Sequence, residues 1–403
     1  MAVVITFLII LTLVSPVTGA PFYYLAYLSK NNVQRIFGCL LLAFLMASFG
    51  YCFQNPKTDP DLVRYLEMVR GYADLKFLQI FNAGMYKDLY VIDIWFWLVA
   101  KTGDYQLVTS ISCFLNYLIW LYIFQDFCKQ NNISTLSQGM FTIALFGLIN
   151  FSVVVNSVRG LLAFTLIMLA IYRELYQKKK NILTYFLYVV PLGMHFAAVL
   201  ILIMRLLLCL KEKFIKILVA LIIGIPFYIE YLVYAINYIS RGIPFSEKIQ
   251  YFTLRCLMYL KWDTGGWASI VSSSGFYKLN KIFSICALVL SAYAFYILKK
   301  HNRVIWSTAM DNFLLIYYAF TVTCFFMTTP IYQRFTVPLW TFCVSVSLKA
   351  TASEGNMFTK FIYVYCLCGV VFVGYFLNGY MLNTMIPIGN YMTRVLTFTW
   401  LCR

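Results

Sequence analysis

The sequence predicts an all-α, polytopic integral membrane protein, and three observations carry that expectation. Of 403 residues, 62% are hydrophobic and 12% charged, against about 25% charged in a typical soluble domain. The mean hydropathy is +0.78. The apolar stretches are long and unbroken, which suits helices of ~20 residues crossing a bilayer and not the ~10-residue alternating strands of a membrane barrel. A soluble globular enzyme is excluded, and residues 1–403 are expected to form a single polytopic membrane domain.

The 32 Lys and Arg against 15 Asp and Glu give a net charge of +17. In a soluble chain that excess would suggest nucleic acid. Here the basic residues fall in short clusters between apolar runs, where they orient helices and meet anionic headgroups. No basic-aromatic RNA or DNA module is visible, so no nucleic-acid partner is expected. The 12 cysteines lie mostly within apolar runs, where a thiol packs as a small hydrophobe. Their spacing suggests neither a disulfide framework nor a zinc site.

Taken in order, Val3–Val17 is apolar and ends in Thr18-Gly19-Ala20 like a cleavable signal, but it lacks the basic start of one and is expected to be a retained span. Lys30 and Arg35 precede Ile36–Phe53, which places the first short loop inside and the N-terminus outside. Basic clusters then recur at Lys129, at Arg173 with Lys178–Lys180, at Arg205 with Lys211, Lys213 and Lys216, at Lys299–Lys300 with Arg303, and at Lys349 and Lys360. An even number of crossings fits between each pair, giving about twelve hydrophobic segments. This leaves outside a first long segment, 54–104, a tight turn at Asn156–Arg159, a turn near His195, a second loop, 241–277, a turn at Thr328–Arg334, and the C-terminus, with Asp311 inside a span.

Two stretches break the pattern. Between Lys180 and Lys211 the chain is too short for two full crossings at ~1.5 Å per residue. Pro191–His195 is therefore expected to turn within the outer half of the membrane, or to join two short tilted helices. Asp88–Ala100, with Tyr90, Trp95, Phe96 and Trp97, reads as a helix lying at the interface or entering partway.

Ionisable groups in or at the rim of a membrane are costly and mark candidate sites. In Asp59-Pro60-Asp61-Leu62-Val63-Arg64-Tyr65, Asp61 and Arg64 stand at i and i+3, so a helix would turn both toward one pocket; the bland alternative is a solvated turn. In Asn156-Ser157-Val158-Arg159-Gly160, Arg159 opens an inward-going helix without a neighbouring acid. It either snorkels to headgroups or clamps a pyrophosphate, since a planar fork binds phosphate oxygens bidentately and a helix N-terminus adds N–H donors.

His195 is either a packing residue or a proton acceptor or phosphate donor beside an outer turn; His301 reads as a solvated face. In Thr329-Pro330-Ile331-Tyr332-Gln333-Arg334-Phe335, Arg334 repeats the placement of Arg159, and two such arginines suggest an anionic ligand between them. The loop 241–277, with Arg241, Lys248, Arg255, Lys261, Asp263 and Trp267, mixes cations with aromatics as sugar-phosphate sites do. No HExxH, P-loop or GxSxG is present, and Asp59-x-Asp61 is too short a pattern for a metal site. No metal or cofactor is expected.

On these residues the sequence resembles the EpsG family, the Wzy-like group of O-antigen, capsule and exopolysaccharide polymerases. The likeness rests on Asp61-Leu62-Val63-Arg64-Tyr65, on Asn156-x-x-Arg159 followed by Leu161-Leu162-Ala163, on Lys178–Lys180 leading to His195, and on Arg334. Gly160 departs from it, since a Gln or another polar residue is expected after the arginine. The resemblance implies a GT-C-like helical bundle in a bacterial cytoplasmic membrane. Its activity would be a metal-independent glycosyltransferase that moves a growing glycan from its polyprenyl (undecaprenyl) diphosphate onto a sugar hydroxyl of the next lipid-linked repeat, at the outer face. A flippase and a chain-length regulator are the implied protein partners. Asp61 and His195 are the candidates for catalysis, and Arg64, Tyr65, Asn156, Arg159, Arg241, Gln333 and Arg334 for binding diphosphate and sugar.

Two other functions compete. One is a transferase of a single sugar from a polyprenyl monophosphate, with Asp59 or Asp61 as base. The other is a flippase or transporter, disfavoured because no internal repeat is visible and the candidates gather at the outer rim and not at the midplane.

Overall fold

Polar residues start several of the helices. Asn31 accepts from the N–H groups of Val33 and Gln34, Ser134 from Ser137, Asn150 from Ser152 and Val153, and Asn356 from Phe358 and Thr359. Each cap satisfies N–H groups that the first helical turn leaves open. The computed structural model describes residues 2–54, 60–83, 89–240, 247, 250, 275–300, 305–325, 331–353 and 356–402, and among them there are helices and short 3-10 turns but no strand.

In chain order the helices are α1 (Ala2–Val14), α2 (Ala20–Tyr27), α3 (Asn32–Cys52), α4 (Pro60–Gly71), α5 (Ile80–Ala83), α6 (Tyr90–Lys101), α7 (Leu107–Gln130), α8 (Thr135–Leu148), α9 (Phe151–Asn156) and α10 (Val158–Leu175). They continue with α11 (Ile182–Val189), α12 (Ala198–Leu206), α13 (Glu212–Ile239), α14 (Gly275–Lys300), α15 (Thr308–Phe325), α16 (Ile331–Ser353), α17 (Met357–Met385) and α18 (Ile388–Thr397).

Among the described residues, five helices are long and apolar enough to cross a membrane: α3, α7, residues 278–300 of α14, residues 332–353 of α16, and α17. The α16 span is 83% buried and the α17 span 22%, so α16 runs through the centre of the bundle and α17 along its lipid-facing side. The protein is a membrane protein built of helices.

The expectation of about twelve segments exceeds the five candidate spans, and the differences have physical causes. Helix α1 has 13 residues, only ~20 Å at 1.5 Å per residue, so Val3–Val17 does not form one full span. Helices α11 and α12, with 8 and 9 residues, reach only ~12–14 Å each. They meet through a 3-10 turn at Val190–Gly193, so this stretch is a pair of short helices. Helix α6 has 12 residues and is likewise too short to cross.

Asp311 is not mid-span. It stands in the first turn of α15, 2% exposed, and accepts from Lys299 Nζ at 2.9 Å and from the Trp306 N–H at 3.2 Å. Lys349 Nζ donates to the Ile305 carbonyl at 2.9 Å, and Ser307 to that of Leu175 at 2.8 Å. One end of the bundle thus gathers the basic ends of α14 and α16 with the C-terminal end of α10. Glu174 binds Arg205 there through two oxygens, at 2.9 and 2.6 Å. At the opposite end, α4 and α6 pack on each other and against α9, α7 and the 3-10 turn at Val190–Gly193. That end brings the candidate residues together.

Candidate functional site

Helix α4 opens with Pro60, whose fixed φ and missing N–H suit a first helical position. Its buried residues Leu62, Tyr65, Leu66 and Val69, with Tyr72 just past its end, recur at helical spacing and set α4 against α6. Asp61 and Arg64 are left at the edge of that face. Arg64 Nη2 donates to Asp61 Oδ1 at 2.7 Å, as i,i+3 spacing on a helix allows.

The second part comes from the break between α9 and α10. Ser157 (φ −97°, ψ 37°) interrupts the helix without a side-chain cap bond, and Arg159 stands in the first turn of α10. The third is the turn after the 3-10 segment, where the His195 N–H donates to the Pro191 carbonyl at 3.0 Å. The fourth is Arg334, in the first turn of α16. Pro338, inside that helix, lacks the N–H that would bind the Arg334 carbonyl, which loosens the helix just after the arginine.

These parts converge. Arg334 Nη2 donates to Asp61 Oδ2 at 2.8 Å, so the carboxylate bridges Arg64 and Arg334, one through each oxygen. Arg334 therefore has a carboxylate partner in space that it lacks in sequence. The Arg159 guanidinium lies 5.9 Å from the centre of the Tyr65 ring and that of Arg64 5.5 Å, so the buried phenol is a cation-π surface shared by two arginines.

His195 packs edge-on to Phe164 with ring centres 5.5 Å apart. A Cβ added at Gly160 would stand 3.0 Å from His195 Cδ2 and 3.2 Å from Nε2. Gly160 is thus the gap that seats the imidazole against α10. The Ala197 N–H donates to His195 Nδ1 at 3.1 Å, so the lone pair is on Nδ1 and the proton of the neutral ring is on Nε2. His195 lies on an element too short to span, and desolvation, followed by the charges of Arg159 and Arg334, holds its pKa well below the usual imidazole value. It is a neutral N–H donor within electrostatic reach of both guanidinium groups.

Sequence reasoning missed Asp93. It lies on α6, 2% exposed, and accepts from the Tyr72 hydroxyl at 2.7 Å. Burial raises its pKa, opposed by that hydrogen bond and by the Arg159 charge. Arg159 thus also has an acid within electrostatic reach. The available signal was a single carboxylate in the apolar run Tyr90–Ala100, a stretch that stands out first for its aromatics.

Asn156 and Gln333 face elsewhere. Asn156 Nδ2 approaches Met385 Sδ at 3.1 Å, and its Oδ1 is buried without a hydrogen-bond partner among the described residues. Gln333 lines a small polar cavity with Asn150, Asn280, Ser284, Thr336 and Asn378. Arg241, Asp59, Asp88, His301 and Thr328–Pro330 lie outside the described residues, as does nearly all of the loop 241–277. Among the described residues no cluster of three or more His, Cys, Asp or Glu side chains is placed to hold a metal ion.

Three guanidinium groups, two carboxylates and a neutral imidazole donor leave this end of the bundle cationic and rich in N–H donors. Such a set binds a multiply charged anion and stabilises charge that develops on it. The family model described as EpsG family matches residues 35–391, a range that takes in Asp61, Asp93, Arg159, His195 and Arg334. No curated protein and no solved structure matches the chain.

Proposed function

The chain belongs to the EpsG family, a Wzy-like polymerase family, and from that premise we propose that it polymerises lipid-linked oligosaccharide repeats at the outer face of a bacterial cytoplasmic membrane. The donor is a glycan on a polyprenyl diphosphate, of the undecaprenyl type, and the acceptor is a sugar hydroxyl of the next lipid-linked repeat. The observation that carries this reading is the convergence of Arg64, Arg159 and Arg334, from three distant stretches of sequence, around Asp61, Tyr65 and His195.

Breaking the anomeric C–O bond leaves its electron pair on the diphosphate. Arg159 and Arg334 hold that diphosphate and offset the growing charge, and His195 Nε2–H donates to an oxygen of the same group or of the adjoining sugar. The acceptor hydroxyl forms the new C–O bond and loses its proton. Asp61 orients that hydroxyl. The proton passes to this carboxylate as the bond to diphosphate opens. Asp93 is a positioning residue: it sets the charge environment of Arg159 from beneath. A chain-length regulator and a flippase supplying the repeat complete the pathway.

A transferase of a single sugar would use the same cationic cluster, but a monophosphate donor does not call for paired arginines. Deletion of the gene followed by glycan analysis separates the readings. Surface glycan reduced to single repeats supports the polymerase. Truncated repeats point to the transferase, and lipid-linked repeats retained on the cytoplasmic side to a flippase.

A further inference from the structure

A groove opens between α14, α15 and α16 with a volume of about 350 Å³, within the ~300–1,000 Å³ typical of ligand pockets. Its walls include Ala292, Phe295, Leu315, Leu339, Phe342 and Val346. Of the three hydroxyls in the lining, Ser291 donates to the Ala287 carbonyl at 2.9 Å and Tyr318 to that of Leu288 at 2.6 Å, while Tyr296, which carries the third, is exposed. The interior therefore offers a guest hydrocarbon and almost nothing polar.

Among the lining residues Lys299 alone is charged. Its ammonium lies at one end, 5.6 Å from the centre of the Phe295 ring and 2.9 Å from Asp311 Oδ2. Lys300 is exposed beside it, and Lys349 reaches the Ile305 carbonyl nearby. Three lysines against one buried carboxylate leave this mouth positive. It is the end of α16 opposite Arg334, so the charged rim of the groove faces away from the arginine cluster.

We propose that this groove binds one anionic phospholipid, with an acyl chain along the apolar interior and the phosphate headgroup at Lys299 and Lys300. An amphiphile with one anionic end matches a slot that is apolar throughout and cationic at one rim, and basic pockets between helices on the cytoplasmic side are where anionic headgroups dock. The polyprenyl tail of a substrate held at Arg334 would present its charge at the wrong end. The site is separate from the polymerase reading and stands or falls independently of it.

The test is native mass spectrometry of the full-length protein in detergent, titrated with phosphatidylglycerol or phosphatidylcholine of the same chains. One phosphatidylglycerol should be retained with at least tenfold preference. Ala292→Trp, which fills the groove from an exposed position, and Lys300→Glu, which reverses charge at its mouth, should each weaken retention at least fivefold with unchanged melting temperature. Leu315→Trp blocks the groove from the facing helix if the first filling variant does not fold. Equal retention of the two lipids, a preference that survives both filling variants, or displacement of phosphatidylglycerol by a polyprenyl phosphate would each overturn the assignment.

Discussion

Asp61 and Arg334 are 273 positions apart and meet at 2.8 Å, while the second carboxylate oxygen takes Arg64 at 2.7 Å. One carboxylate therefore ties the short helix α4 to the central helix α16 and fixes the direction of two guanidinium forks. Asp61→Asn removes the charge that aligns both and the group proposed to receive the hydroxyl proton. General-base help is typically worth ~10²–10⁴ in rate, so polymer formation by purified Asp61→Asn should fall at least a hundredfold while lipid-linked donor still binds. Normal turnover in that variant would remove Asp61 from the reaction.

Arg159→Lys and Arg334→Lys keep the charge and lose the planar fork. A charge-assisted hydrogen bond is worth ~1.5–3 kcal/mol, so each change should lower the polymerisation rate roughly ten- to a hundredfold with protein level unaltered. Full-length polymer from both lysine variants would reduce these arginines to headgroup anchors.

Gly160→Ala is informative because its two effects have opposite signs. Alanine favours a helix over glycine by about 1 kcal/mol, yet the new methyl would stand 3.0 Å from His195 Cδ2. The variant should melt no lower than the native protein and lose at least tenfold in activity. Full activity would mean that the position of the imidazole does not matter.

How much of this was legible in the sequence varies by element. The all-helical membrane class, the short pair around His195 and the partial helix near Trp95 follow from hydropathy and from the distance between basic clusters. Asp61, Arg159, His195 and Arg334 stand out as ionisable groups at the ends of apolar runs. The Asp61–Arg334 pair was not legible, because periodicity places residues on faces and does not say which helices become neighbours. The glycine after Arg159 looked like a departure until the imidazole was seen to occupy its missing side chain. Asp93 was hidden by the aromatics around it. The structure shows fewer full spans than the hydropathy suggests where an apolar run forms a helix too short to cross, as Ala2–Val14 does.

His195 also makes a prediction about stability. Its pKa is lower in the folded than in the unfolded chain, so the unfolded state binds the extra proton first and stability is lost as pH falls below the unfolded value of ~6.5. The penalty is about 1.4 kcal/mol one pH unit below that value and continues until the folded pKa is reached. Melting curves from pH 7.5 to 5.5 should drop more for the native protein than for His195→Gln. Parallel curves would contradict a neutral, desolvated imidazole.

Asp93 carries the complementary sign. Its pKa lies above the ordinary carboxylate value, so on acidification it loses its charge before an ordinary carboxylate does. The activity of the native protein should fall on the acid side of neutrality. Asp93→Asn should start roughly tenfold lower, the scale of one charge-assisted contact at ~1.4 kcal/mol per decade, and lack that inflection. An unchanged acid limb in Asp93→Asn would place the titrating group elsewhere.

The most direct measurement is a reconstitution. Purified protein in liposomes is given the polyprenyl-diphosphate-linked repeat isolated from a strain lacking the gene, and the products are resolved by size alongside those of Arg334→Ala. A ladder of glycans growing by whole repeats with release of polyprenyl diphosphate is expected from the native protein, and loss of the ladder from the variant. Single repeats only, or a ladder that Arg334→Ala leaves intact, would contradict the polymerase reading.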